Sequence, residues 1–241
     1  MTRLNLPRNL TKMLLVLFGV GIFLASLASC SLTSVITVYQ DNSADVALTV
    51  AWQKPLSAYW NDLRGLDAGL PSQPLEAEEA RSALEKVSKL EASPLQNPRV
   101  QAGQRSVEMS FHWSATPKTN VWGLELIPTP TGDTLSLTWN RQTLERWLDT
   151  STYAHSDALS ALLPDAQTTQ AQLANNLAYA LGSYSDNAQA LVEGSYVQLV
   201  FKLPRPVKSL EGNASYQGNV VTCHWPLTDF LTHSEKLVVT Y

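Results

Sequence analysis

Two cysteines, four histidines and seven tryptophans carry most of the chemistry open to this chain of 241 residues. His112, His155, His224 and His233 are scattered, with no pair four residues apart and no Cys-x-x-Cys beside them, so the spacing of a metal site is missing. Nor does the chain contain His-Glu-x-x-His, Gly-x-Ser-x-Gly, a Walker-type phosphate loop or Gly-x-Gly-x-x-Gly. His112 and His224 fall on the polar phase of alternating segments and read as solvated strand residues. Glu76, Glu78 and Glu79 gather where a helix should begin, and Asp62, Asp67 and Asp149 lie near helix ends, where capping is their ordinary use. The expectation is therefore no catalytic residue, no metal and no cofactor.

The tryptophans are better candidates, for binding rather than for reaction. Trp52, Trp113, Trp122, Trp139 and Trp225 lie on apolar phases of alternating segments, while Trp60 and Trp147 fall in helical ones. One reading is a tryptophan-rich core packed between sheet and helices. The other is an apolar cavity, able to hold an acyl chain, with those five strand tryptophans as its contacts. Composition does not separate them, because a core and a lipid pocket use the same residues.

The N-terminus has the order of a secretory signal. Arg3, Arg8 and Lys12 precede the apolar run Met13 to Ala28, and small residues lead into Cys30. About 16 apolar residues make a helix of roughly 24 Å, short of the roughly 30 Å hydrocarbon core, so a permanent span is the second choice. Leu27-Ala28-Ser29-Cys30, placed directly after that run, resembles the lipobox of bacterial lipoproteins. The resemblance implies cleavage between Ser29 and Cys30, a diacylglyceryl thioether on Cys30, and a new amino group acylated with a chain such as palmitate. Two or three acyl chains hold a protein to a membrane where one does not. Ser31, rather than aspartate, follows the cysteine, which resembles the outer-membrane sorting pattern of a Gram-negative host.

Cleavage also changes the electrostatics. It removes three basic residues, leaving 14 basic against 21 acidic and a net charge of −7 in place of −4. Such a surface attracts neither nucleic acid nor anionic headgroups at long range, which leaves the lipid as the hold on the membrane. Cys223 then has no partner within the chain. It shares the apolar phase of Val221 and Trp225 and reads as a small buried hydrophobe.

These residues must be positioned by elements, and a period of two dominates past Cys30. Residues 33–40 and 45–53 flank Asp41-Asn42-Ser43-Ala44 and predict a β-hairpin with one apolar face. Leu56 to Leu66 predicts a short helix, and Gly69-Leu70-Pro71-Ser72-Gln73-Pro74 a loop. Glu76 to Glu91 predicts a second helix, with Ala80, Ala83, Leu84, Val87 and Leu90 on one stripe and Pro94 and Pro98 ending it. Alternation at 107–113, 122–126 and 135–139 predicts three strands, most simply one antiparallel set. A helix follows at 141–148, then a stretch rich in Ala, Gln, Ser and Asn with helices near 173–181 and 188–192. Strands return at 195–203, 219–225 and 235–241, and Leu203-Pro204-Arg205-Pro206-Val207 cannot continue a central strand.

The two ends together resemble the LppM-type lipoprotein domain, a bacterial envelope family. A lipidated cysteine is soon followed by a hairpin, Val35 to Trp52. Leu199 to Val207, Gly212-Asn213-Ala214 and Gly218-Asn219-Val220-Val221-Thr222-Cys223-His224-Trp225 are similar to the family's strand, proline turn, Asn-Gly stretch and returning strand. Arg205 stands where the family often has glycine, and the family's C-terminal membrane helix has no counterpart in the sequence. The resemblance implies an α+β domain at a membrane surface with a lipid-handling role, and it brings no catalytic residue with it.

The sequence thus predicts a lipoprotein signal peptide over 1–29 and a single α+β extracytoplasmic domain over 30–241. In it an antiparallel β-sheet of about 6–8 strands is covered by helical segments at about 55–92 and 141–193. The expected role is a non-enzymatic envelope protein, anchored through Cys30, that binds lipid or another hydrophobic ligand. The alternative is a scaffold or assembly factor that binds an envelope protein through a strand edge or the 150–194 helices. An uncharacterised hydrolase ranks third.

Overall fold

The computed structural model describes residues 30–89, 93–114, 124–129, 132–139, 164–165 and 167–241. The predicted signal segment with Ser29, the predicted helix at 141–148, and Trp122, Trp147, Asp149 and His155 lie outside the described residues.

Period-two alternation forms the hairpin it predicts. β1 (Cys30–Val38) and β2 (Ala44–Trp52) pair antiparallel from Cys30 opposite Trp52 to Val38 opposite Ala44. Every second residue of each strand is buried. The turn is closed by Asp41, whose carboxylate accepts from the Ser43 amide (3.0 Å) and hydroxyl (2.7 Å), an Asx-type arrangement.

α1 (Lys54–Leu66) starts with Pro55 in its first turn, where a missing N–H costs nothing, and buries Leu56, Trp60 and Leu63 on one stripe. α2 (Ala77–Ser88) carries Glu78 and Glu79 in its first turn and buries Ala80 and Leu84. The side chains of Ala83, Val87 and Leu90, the rest of the predicted stripe, lie outside the described residues.

β3 (Leu95–Ala102) is a strand where the sequence suggested only a helix end. Leu95 and Val100 are its buried apolar residues, five positions apart, so it shows no alternation. β4 (Ser106–Trp113) pairs with β3 on one side and with β2 on the other. Its Val107, Met109 and Phe111 stand opposite Val50, Leu48 and Val46 and extend the hairpin's apolar face. That match explains why β4 leaves the predicted three-strand set: β5 (Leu124–Thr129) and β6 (Gly132–Trp139) pair with each other in a different sheet.

α3 (Gln170–Leu181) begins at a reciprocal cap between Thr169 and Gln172 and buries Leu173, Leu177 and Leu181. After α4 (Ala188–Glu193) come β7 (Tyr196–Lys202), β8 (Ser209–Glu211), β9 (Ser215–Gln217), β10 (Val220–Pro226), α5 (Leu227–Thr232) and β11 (Glu235–Thr240). The larger sheet has seven strands in the order β3-β4-β2-β1-β7-β10-β9, and the smaller has four in the order β5-β6-β11-β8. The fold is α+β and mostly antiparallel, and β1 with β7 is the one parallel pair among the described residues.

The core lies on one face of the seven-stranded sheet. Leu32, Leu48, Val50, Phe201 and Val221 are among its fully buried members. Burial of such a side chain is worth about 1.5–3 kcal/mol each. The opposite face carries short or polar side chains: Thr33, Val35 and Thr37 on β1, Ala47, Thr49 and Ala51 on β2, and Ser106 and Ser110 on β4. No helix among the described residues is long and apolar enough to cross a membrane.

Candidate functional site

The short side chains of that open face leave a groove of about 380 Å³ over β1, β2, β4 and the bent part of β3. This volume falls in the range of small-ligand sites. Val35 and Ala47 form apolar parts of its wall, Thr37 and Ser110 add hydroxyls, and Asp45, His112, Asn97 and Arg99 supply the remaining polar groups.

Three of the polar groups are already organised. Asp45 opposes His112 across the β2–β4 ladder, and the His112 Nδ1 to Asp45 Oδ1 distance is 2.7 Å. The Tyr39 hydroxyl donates to Asp45 Oδ2 at 2.6 Å. The Tyr39 hydrogen bond, followed by that of His112, holds the Asp45 carboxyl below the usual carboxylate range. The same carboxylate pushes the Tyr39 phenol up. A carboxylate only accepts, so Asp45 fixes the proton on Nδ1 and leaves Nε2 as the ring's free nitrogen. Among the described residues no hydroxyl or thiol is hydrogen-bonded to that Nε2. The dyad therefore presents an oriented imidazole to the groove.

The position of Arg99 depends on a backbone irregularity. On β3, Gln96 opposes His112 and Arg99 opposes Ser110, so Asn97 and Pro98 share the one place opposite Phe111. Asn97 takes a positive φ of 52° there. This is a β-bulge, and one extra residue reverses the facing of everything after it. Without it Arg99 would point into the core; with it Arg99 joins the groove wall.

The described tryptophans lie elsewhere and do not form one group. Trp52 sits at the Cys30 end of the large sheet's core face, while Trp113 sits at the Val38 end, opposite Ala44. Eight residues of strand separate those rows, roughly 26 Å. Trp139 belongs to the smaller sheet, donates its indole N–H to the Phe230 carbonyl at 2.6 Å and stacks on the Phe230 ring at 4.0 Å. Trp225 meets the same ring at 5.7 Å, so Phe230 joins these two. Trp60 donates to the Pro71 carbonyl and Trp52 to the Ser57 hydroxyl. Trp52, Trp139 and Trp225 are each at most 4% exposed.

Cys30 is buried as the first residue of β1, and burial pushes its thiol pKa up. Cys223 is buried as its strand phase predicts, and burial raises its thiol to about 12. His224 keeps its place on the polar phase and packs on Tyr196 at 4.9 Å. The acidic residues bond locally: Asp62 accepts from Tyr184, Asp67 from the Gly69 amide, and Glu76 from the Ser72 amide and hydroxyl. Among the described residues no group of three His, Cys, Asp or Glu is placed to hold a metal ion.

Of the groove's polar residues the sequence singles out only His112, as a solvated strand residue, and the structure ties it to Asp45. Asp45 carries a sequence signal of its own, as the one charged residue of β2. Its pairing with a residue 67 positions away depends on strand register.

No family model matches the chain, and no curated protein matches it. Among solved structures it is similar to the NMR structure of the folded domain of the Mycobacterium tuberculosis LppM protein. The TM-score is 0.40 at 10% sequence identity, over 89% of this chain and 91% of that one.

Proposed function

We propose that this chain is a membrane-anchored bacterial lipoprotein, cleaved between Ser29 and Cys30 and acylated on Cys30, that binds an amphipathic ligand in the cell envelope without catalysing a reaction. The anchor rests on the order of basic residues, apolar run and Leu27-Ala28-Ser29-Cys30. The ligand reading rests on one observation, the groove of about 380 Å³ that combines apolar wall and fixed polar groups on the sheet face opposite the core. Trp52, Trp139 and Trp225 are buried within the core, which supports the opposite face as the place for a ligand.

The test is a single substitution that fills the groove. Ala47 is exposed on β2, between Val35 of β1 and Ser110 of β4, so Ala47→Trp adds bulk without touching the core. Full-length wild type and Ala47→Trp are extracted from membranes in copolymer discs, and their bound lipids are compared by mass spectrometry. Depletion of a lipid class in the variant is the expected result. Identical lipid complements would overturn the ligand reading.

A further inference from the structure

Arg99 is a cation with no assigned work. It has no ion pair or hydrogen bond among the described residues, yet the bulge at Asn97-Pro98 places it on the groove wall rather than in the core. Its nearest titratable neighbours on β4 are the two diagonal positions, His112 and Glu108. Glu108 lies outside the groove and makes no ion pair with Arg99. His112 lies inside it, between Arg99 and Asp45. Asp45 is occupied on both oxygens, by Tyr39 and by His112, and makes no ion pair with Arg99, although its charge stays in the groove. Diagonal neighbours across antiparallel strands are roughly 7–8 Å apart, a gap that one small planar anion bridges.

Arg99 also lies apart from the apolar wall, although Thr37 and Asp45 share β1 and β2 with that wall. Asn97 and Arg99 form the β3 wall, while Val35 on β1 and Ala47 on β2 lie across the sheet from it. We propose that the groove selects a single-chain amphiphile with a carboxylate head, the head held by Arg99 with Asn97 and His112 beside it, and the chain laid over Ala47 and Val35. The unpaired guanidinium meets one carboxylate directly, and a single negative charge is repelled less by Asp45 than a double one. A dianionic phosphate would face the Asp45 carboxylate with its second charge uncompensated. This inference rests on the reading of the groove as a ligand site and adds its head-group selectivity.

The experiment uses the full-length protein in phosphatidylcholine nanodiscs and two photoreactive probes. One is a twelve-carbon carboxylate carrying a diazirine near its far end, and the other is the matching primary alcohol. Cross-linked peptides are counted by mass spectrometry for wild type, Arg99→Gln and Arg99→Lys. Arg99 is exposed, and circular dichroism checks that each variant keeps its fold. The carboxylate is expected to label β1 and β2 peptides in preference to the alcohol. Arg99→Gln should cut carboxylate labelling roughly tenfold, to the level of the alcohol, as the loss of a charge-assisted contact requires. Arg99→Lys should retain part of the preference, since the charge stays while the planar fork is lost. Equal labelling by acid and alcohol in wild type, or a preference that survives Arg99→Gln, overturns the head-group inference and leaves the groove reading standing. Labelling by both probes confined to peptides outside the groove overturns both.

Discussion

Leu95 and Val100 face the same core although they lie five positions apart, because Asn97 and Pro98 occupy a single place opposite Phe111. An unbroken strand would put residues an odd number apart on opposite faces. The bulge therefore has two consequences. It lets both apolar ends of β3 reach the core, and it turns Arg99 outward between them. Pro98 is tolerated because β3 is an edge strand.

The bulge makes a prediction about Asn97, whose φ of 52° lies in the left-handed region. Asparagine tolerates that region, glycine occupies it freely and a β-branched residue does not. Asn97→Gly should change stability little, while Asn97→Val should cost about 1–3 kcal/mol. Urea denaturation of the two variants measures the difference. Equal stability of Val and Gly at this position would show that the bulge is not held in this conformation.

The same strand shows how far the sequence could be read. The hairpin, α1, α2, β4, β6, α3, α4, β7, β10 and β11 follow from period and caps, because each keeps a mainly apolar phase, broken in β1 only by buried Ser34. β3 does not, since the bulge destroys the period that would announce it. α5, six residues long, follows β10 without a break. β8 and β9, three residues each, are too short to carry a pattern. The core positions of Trp52, Trp139 and Trp225 were legible as apolar phases. The groove was not, because it consists of small side chains on the polar phase, where Ala47 and Ser110 signal nothing individually. Pairing of Asp45 with His112, and the diagonal from His112 to Arg99, are facts of register between strands that the sequence separates.

Asp45 provides a pH-dependent test of that register. Its carboxyl is held below the ordinary range chiefly by the Tyr39 hydroxyl. A carboxyl depressed in the folded state stabilises fully above its unfolded pKa of about 4. That contribution is lost as pH falls through the lower folded value. Tyr39→Phe should move the Asp45 titration toward the ordinary carboxylate value, seen by carboxyl-carbon NMR. It should also lower the melting temperature slightly at neutral pH, the difference disappearing at acid pH where Asp45 is protonated in both proteins. The stability effect is small because both groups are exposed. An Asp45 titration unchanged by Tyr39→Phe would rule out the hydrogen bond.

Gly212 tests how the two sheets are joined. It lies between β8 of the smaller sheet and β9 of the larger one, with a φ of 109°. A Cβ built there would overlap the Lys236 carbonyl oxygen on β11, which is backbone and cannot swing away. Gly212→Ala should therefore destabilise by about 2 kcal/mol or more, through both strain and the clash. Asn219, at the mouth of β10, keeps its bond to the Leu203 carbonyl (2.7 Å) and should report little change by NMR. A variant as stable as wild type would mean that the β8–β9 connection does not pass this close to β11.

Counting thiols tests the anchor and the core together. Cys223 is buried on β10 with its thiol pushed up to about 12, so at pH 8 only about one molecule in 10⁴ carries the reactive thiolate. Native protein should resist iodoacetamide for that reason and because the sulfur is enclosed. Unfolding in guanidinium should then expose a single reactive thiol in protein purified from membranes, if Cys30 is a thioether as proposed. Cys223→Ser should expose none, and Cys30→Ser should still expose one while losing metabolic labelling by an alkyne fatty acid. Two reactive thiols in unfolded wild type would refute acylation of the Cys30 sulfur. The geometry sharpens the expectation. Cys30 opposes Trp52 in the first rung of the hairpin, with no spacer between it and the sheet. A diacylglyceryl group on its buried sulfur must leave past Trp52, so acylation should loosen that rung. Faster hydrogen exchange at the Trp52 amide, which donates to the Arg105 carbonyl at 3.0 Å, would record it. Acylated wild type should exchange faster there than unacylated Cys30→Ser, and equal rates would place the lipid outside the fold without disturbing the strand.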